Sequence, residues 1–243
     1  MTIMLRSRLM TKLPSRLLAA AASLGIGLML VYGTAGVAAE SAVRAPQPIV
    51  TVPPSAASET AIFAGGCFWG VQGVFQHVKG VKSAVSGFTG GGGDTAHYER
   101  VSDGDTGHAE SVRVVFDPHV VSYADLLRIY FSVVADPTQL NAQGPDVGTQ
   151  YRSALFPTNE AQRKVAAAYL DQLRKAHLWS KPIVTRIEPL KPFYPAEGYH
   201  QDYLTRHPDS GYIRYNDLPK LAALKQLYPQ YWREQPVLVN ARS

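Results

Sequence analysis

Between Thr60 and Ile187 the apolar residues switch repeatedly between strand spacing and helix spacing, and the order of those switches restricts the fold more than any other feature. Thr60 to Ala64 reads as a strand, Cys67 to about Val78 as a helix with Val71, Val74, Phe75 and Val78 on one face, and Val81 to Phe88 as a second strand. Ser111 to Phe116 alternates, with Val112, Val114 and Phe116 on one face. Ser122 and Asp125 have the layout of a capping box and start a helix ending near Val134. Gln150 to Phe156 is predicted as a strand, Asn159-Glu160 starts a helix to about His177, and Ile183 to Ile187 is a last strand. Short helices are expected over Gly198 to Arg206 and Leu218 to Tyr228. The order strand, helix, strand, strand, helix, strand, helix, strand lacks a strict βαβ repeat. It predicts an α+β layered domain, with helices packed on a mixed or mainly antiparallel sheet around a ferredoxin-like, split βαβ core.

The first turn of the first helix carries the only cysteine, in Gly65-Gly66-Cys67-Phe68-Trp69-Gly70. A helix N-terminus presents unpaired N–H groups and the positive end of the helix dipole, which favour thiolate over thiol. Two glycines before it permit a tight strand-to-helix turn. Free cysteine is equally one of the most buried residue types and a small hydrophobe, so position alone leaves both roles open.

The first 39 residues are separate in character. Arg6, Arg8, Lys12 and Arg16 precede an uncharged stretch from Leu17 to Ala39, the layout of an export signal, and Val37-Ala38-Ala39 fits a small-residue cleavage site. Left uncleaved, the stretch is long enough to anchor the chain in a bilayer. Residues 40–59 read as a Pro/Ala/Ser linker and 60–243 as the catalytic domain. An exported, periplasmic location follows as the expectation, with membrane contact only through residues 17–39. The chain has 24 Lys and Arg against 19 Asp and Glu, and four of the basic residues lie in that leader, so the remainder is nearly neutral and offers nucleic acid no basic footprint. The histidines include no close pair of the kind that ligates metal, so neither a metal site nor a cofactor is expected.

Two polar loops stand out for length: His97 to Glu110, with the glycine run Gly90 to Gly93 ahead of it, and Asp136 to Tyr151. Long irregular loops in a compact domain are more often functional than filler. The four glycines lack a Gly-Lys-Ser/Thr ending and suggest flexibility, not a phosphate cradle. Taken singly, Glu110 reads as a solvated charge at a strand start, and Tyr98 and Tyr151 as packing residues.

Together, Gly66-Cys67-Phe68-Trp69-Gly70, Thr106-Gly107-His108-Ala109-Glu110, Asp136-Pro137-Thr138-Gln139, Gly144-Pro145-Asp146-Val147-Gly148-Thr149-Gln150-Tyr151 and Phe193-Tyr194-Pro195-Ala196-Glu197 with Tyr199-His200-Gln201 resemble the A class of peptide methionine sulfoxide reductases. The resemblance implies that Cys67 attacks the sulfoxide sulfur, that Glu110 is a neutral acid for the sulfoxide oxygen, and that Tyr98 and Tyr151 hydrogen-bond that oxygen. It further implies that Phe68 and Trp69 form an apolar pocket for the substrate methyl group and that Asp146 organises the site. The implied substrate is methionine sulfoxide of the S epimer, free or in proteins, and a sulfenic acid is left on Cys67. Relatives often carry further cysteines near the C-terminus, and a histidine where this chain has Ala135; the tail here has no cysteine. The reductant must then be an external thiol, thioredoxin-like or glutathione-like, acting on a monomer. A cysteine hydrolase pairing Cys67 with a histidine is the competing reading.

Overall fold

The computed structural model describes residues 42–54 and 56–239. The expected export segment lies outside them, and among the described residues no helix is long and apolar enough to cross a membrane. In chain order the elements are β1 (Glu59–Ala64), α1 (Phe68–Gln76), β2 (Val81–Thr89), α2 (Tyr98–Ser102), β3 (Ala109–Phe116), α3 (Tyr123–Ile129), β4 (Ala142–Gln143), β5 (Asp146–Val147), β6 (Ala154–Phe156), α4 (Glu160–Ala176), β7 (Arg186–Ile187), β8 (Tyr194–Pro195), α5 (Tyr203–Arg206) and α6 (Leu218–Leu227).

Six strands form one sheet in the order β7-β6-β1-β3-β2-β8, antiparallel except for the β6–β7 pair. β1 and β2 flank β3 and α1 connects them, which is the split βαβ unit expected from the periodicity. The pleat sorts β1 cleanly. Phe63 faces the helices and stacks on Phe75 of α1 at 4.8 Å and on Tyr130 at 5.7 Å, while Ile62 and Ala64 turn to a smaller apolar cluster with Phe156 on the other face. Helix starts follow their caps. Ser122 accepts from the Asp125 N–H while the Asp125 carboxylate takes the Ser122 N–H, and Asn159 accepts from the Gln162 N–H at 2.8 Å.

Several expectations are corrected. The strand expected over Gln150 to Phe156 is only three residues, because Thr149–Tyr151 forms a 3-10 turn held by the Arg152 guanidinium on the carbonyls of Thr149, Gly107 and His108. The one expected over Ile183 to Ile187 shrinks to two, since the Val184 N–H is spent on the Pro137 carbonyl at 2.7 Å. The glycine run is built in, not loose: the Gly91 N–H reaches His108 Nδ1 at 3.2 Å and His108 Nε2 donates to the Gly92 carbonyl at 2.8 Å. The polar loop after it contains α2. Residues 42–49 are extended as a linker should be, yet they are docked: Ala45 is 0% exposed, the Val43 N–H bonds the Ser132 carbonyl at 3.0 Å, and Tyr169 donates to the Pro46 carbonyl at 2.8 Å.

Candidate active site

β1 delivers the chain to Gly65-Gly66, and α1 begins one residue after Cys67, which is its N-cap. Gly66 makes the turn at φ +89°, where an added Cβ would stand 2.6 Å from the Gln143 Cβ. Gln143 in turn is locked to the backbone of Asp136, accepting its N–H at 3.0 Å and donating to its carbonyl at 2.7 Å. The Asp136 carboxylate accepts from the Thr138 hydroxyl, and Gln139 accepts the Gly144 N–H. Two of the sequence motifs are thus the brace behind the cysteine turn.

Glu110 lies on β3, whose neighbours are β1 and β2, and it is 2% exposed. Its parity with Val112, Val114 and Phe116 turns it to the helix side, where Oε2 accepts the Phe68 N–H at 2.9 Å. This is its only hydrogen bond to the described residues, so one carboxyl oxygen is left for a proton. Burial pushes its pKa up to about 8, the Phe68 N–H opposes this and Asp146 adds to it. The solvated-edge reading of Glu110 is therefore wrong: the alternation that starts at Ser111 extends two residues further back, onto a strand enclosed on both sides.

Cys67 is half-buried. Burial, then Glu110 and Asp217, with a smaller push from Asp146, raise its thiol well above the usual range, and only the Trp69 N–H pulls the other way. The expectation of a depressed thiol is overturned: three carboxyl groups and desolvation outweigh one helix turn. The resting protein holds a thiol, not a thiolate.

Tyr98 opens α2, anchored by its N–H on Glu197 Oε1 at 3.0 Å, and Tyr151 ends the 3-10 turn. Both hydroxyls feel Glu110 and Cys67, and burial raises both, so they stay protonated donors. Asp146 of β5 accepts a short hydrogen bond from the Tyr212 hydroxyl. Trp69 stacks on Tyr203 at 3.8 Å and 11°, meets Tyr212 edge-on at 5.7 Å, and donates its indole N–H to His200 Nδ1 at 3.2 Å. Phe68 is 0% exposed, with its ring between Phe88 at 5.7 Å and His200 at 5.2 Å, so it lies behind the site and not at its mouth.

The fold thus brings Cys67, Glu110, Tyr98, Tyr151, Asp146 and Trp69 together. It adds Tyr203, Tyr212 and Asp217, which the sequence reading missed. The tail that carries them has no apolar period, and nothing in Gly211-Tyr212 or Asn216-Asp217 marks them apart from the other tail residues. Asp217 is 1% exposed and sits against Gly70, where a Cβ would overlap its Oδ1. That explains the glycine closing Cys67-Phe68-Trp69-Gly70. His200 is engaged with the Trp69 indole, and among the described residues no histidine is hydrogen-bonded to Cys67, which removes the support for a Cys–His hydrolase. Among them, too, no three His, Cys, Asp or Glu side chains are placed to hold a metal ion.

Comparison with known proteins converges on one family. The family model for peptide methionine sulfoxide reductase matches residues 59–232. Peptide methionine sulfoxide reductase MsrA 2 of Mesorhizobium japonicum is 64% identical over 186 residues, 76% of this chain and 95% of that protein. MsrA of Deinococcus radiodurans is 50% identical over 175 residues, 72% of this chain and 84% of its own. Among solved structures, the reduced form of Mxr1 from Saccharomyces cerevisiae superposes with a TM-score of 0.58 at 34% identity, covering 67% of this chain and 92% of that one. Methionine sulfoxide reductase A of Corynebacterium diphtheriae gives 0.54 at 33% identity, covering 69% and 89%.

Proposed function

The chain belongs to the peptide methionine sulfoxide reductase family, and from that premise we propose a single-thiol cycle in which Cys67 both attacks and is left oxidised. The protein is a peptide-methionine (S)-S-oxide reductase and returns methionine sulfoxide to methionine. What supports the cycle is one observation: a buried, neutral Glu110 hydrogen-bonded to the first helical N–H beside the only cysteine.

A sulfoxide sulfur accepts a nucleophile only as its oxygen takes up a proton. Glu110 supplies that proton and the Tyr98 and Tyr151 hydroxyls stabilise the developing charge, in the manner of an oxyanion hole. Relief of negative charge at Glu110 is not available until it is neutral, so the thiol ionises only in a site where the acid is protonated. Cys67 gives two electrons to the substrate sulfur and takes the oxygen, so thiol plus sulfoxide becomes sulfenic acid plus thioether. Trp69, held by Tyr203 and His200, is the apolar wall for the methyl group, and Phe68 supports it from behind. Asp146, fixed by Tyr212, accepts from the substrate backbone.

Since Cys67 is the only cysteine, an external thiol, thioredoxin-like or glutathione-like, closes each turnover, and the protein acts as a monomer. Residues 1–39 export it to the periplasm, where it repairs oxidised proteins, and are either removed or kept as an anchor. One equivalent of methionine sulfoxide without reductant is expected to add one oxygen to Cys67, trapped by dimedone in the mass spectrum. Product methionine without a modified Cys67 sinks the cycle. Tyr98→Phe and Tyr151→Phe each remove one of two neutral donors and are expected to lower kcat/KM about tenfold, with the double variant much weaker; an unchanged rate in both singles and the double removes them from the reaction.

A further inference from the structure

The docked segment 42–49 fixes where the leader joins the domain. Ala42 and Trp179 line the same small cavity, of about 20 Å³, with Phe131 and Ala135. Only Glu40 and Ser41 separate Ala42 from the uncharged stretch Leu17 to Ala39, a reach of about 10 Å. Whatever that stretch enters therefore lies close to Trp179.

The surface there has an unusual charge. The domain is nearly neutral, yet from Gln172 to Ile187 the chain carries Arg174, Lys175, Lys181 and Arg186 and no acidic residue. Lys175 pairs with Asp171 at 2.7 Å, whereas Arg174, Lys181 and Arg186 make no ion pair among the described residues. α4 ends at His177, whose φ of +48° turns the chain into an exposed loop. Leu178 is 37% exposed, and Trp179 is half-buried with its ring packed against the core. A cavity of about 390 Å³ opens here, lined by Arg174, His177, Leu178, Trp179 and Lys181. Unpaired cations around a pocket with an aromatic and an exposed leucine are the components of an interfacial contact with anionic lipid.

We propose that the loop following α4, with Arg174, Lys181 and Arg186 grouped around Trp179, is a docking surface for the anionic headgroups of a bilayer. The inference rests on the reading of residues 17–39 as an anchor, which holds this loop at the bilayer and so sets the orientation in which the domain meets exported substrates. Cys67 and its partners take no part in the contact.

The test uses the full chain reconstituted into vesicles of phosphatidylcholine alone or with equimolar phosphatidylglycerol, each containing headgroup-spin-labelled lipid, with tryptophan quenching as the readout. Quenching is expected to be several-fold greater in the anionic vesicles, to fall as salt shortens the screening length, and to disappear in Trp179→Phe. The variant Arg174→Glu/Lys181→Glu/Arg186→Glu is expected to lose it while keeping methionine sulfoxide turnover with dithiothreitol, which reports an intact fold. Equal quenching in neutral and anionic vesicles, or undiminished quenching in a triple variant that still turns over, overturns the proposal. Loss of quenching to soluble polyglutamate in both lipid mixtures assigns the loop to an acidic protein and overturns it as well. Intact mass of the chain isolated from cells separates the two ideas: an N-terminus at Glu40 ends the anchor reading, while the vesicle comparison still decides the surface.

Discussion

Glu110→Gln is expected to lower kcat/KM by about 10²- to 10⁴-fold, the usual worth of a positioned general acid. The amide keeps the volume and still accepts the Phe68 N–H, so the fold and the thiol position are preserved and the loss reports the proton. The pH profile carries the same information. Glu110 works as an acid with a pKa of about 8, so wild-type activity falls as pH rises through that value, and the descending limb vanishes in the glutamine variant. Stability moves the opposite way. The folded pKa lies above the ordinary carboxyl value of 4.5, so between 4.5 and about 8 the unfolded chain has released a proton that the folded chain retains. Wild-type stability therefore drops across that window and levels off above it, while below 4.5 both states are protonated and no penalty exists. The variant carries no such term, and its urea midpoint should exceed that of the wild type by a margin that grows from pH 4.5 to 8. A margin independent of pH would show that Glu110 is ionised in the folded protein.

Gly70→Ala is the second large effect. The new methyl would overlap Asp217 Oδ1 and stand 2.8 Å from its Cγ, and Asp217 is buried, so either the first turn of α1 or the start of α6 must move. Overpacking of this kind costs about 1–3 kcal/mol of stability. Displacing the turn also shifts Cys67 relative to Glu110, and misplacement on the order of 1 Å costs about 10²-fold in rate. Gly70→Ala/Asp217→Ser should recover most of the lost stability, since the shorter side chain makes room, and the pair will be strongly non-additive. Asp217→Asn separates charge from volume: Asp217 raises the Cys67 thiol, so the neutral amide should move the ascending limb of the pH profile to lower pH without changing the melting temperature much. An additive double variant would mean that Gly70 is required for some reason other than Asp217.

How far the residues could be read in advance depended on what they signal locally. α1, β2, β3, α3 and α4 were visible because their apolar residues repeat at helical or strand spacing over six residues or more, and because Ser122 and Asn159 cap by short-range chemistry. β4, β5, β7 and β8 are two residues each, too short to show any period, and exist only because distant backbone offers them partners. The docked segment 42–49 gave no signal at all, as its hydrogen bonds run to residues such as Ser132, Tyr169 and Gln172 far along the chain.

The same division holds at the site. Local sequence determined that Cys67 would stand at the first turn of a helix after a glycine turn, that a lone cysteine requires an outside reductant, and, through motif resemblance, which side chains share its chemistry. Tertiary structure alone decided the protonation of that chemistry. A helix N-terminus lowers a thiol by an effect confined to its first turn, whereas burial and the carboxyl groups of Glu110, Asp217 and Asp146 come from three other parts of the fold, and their sum is larger and of opposite sign.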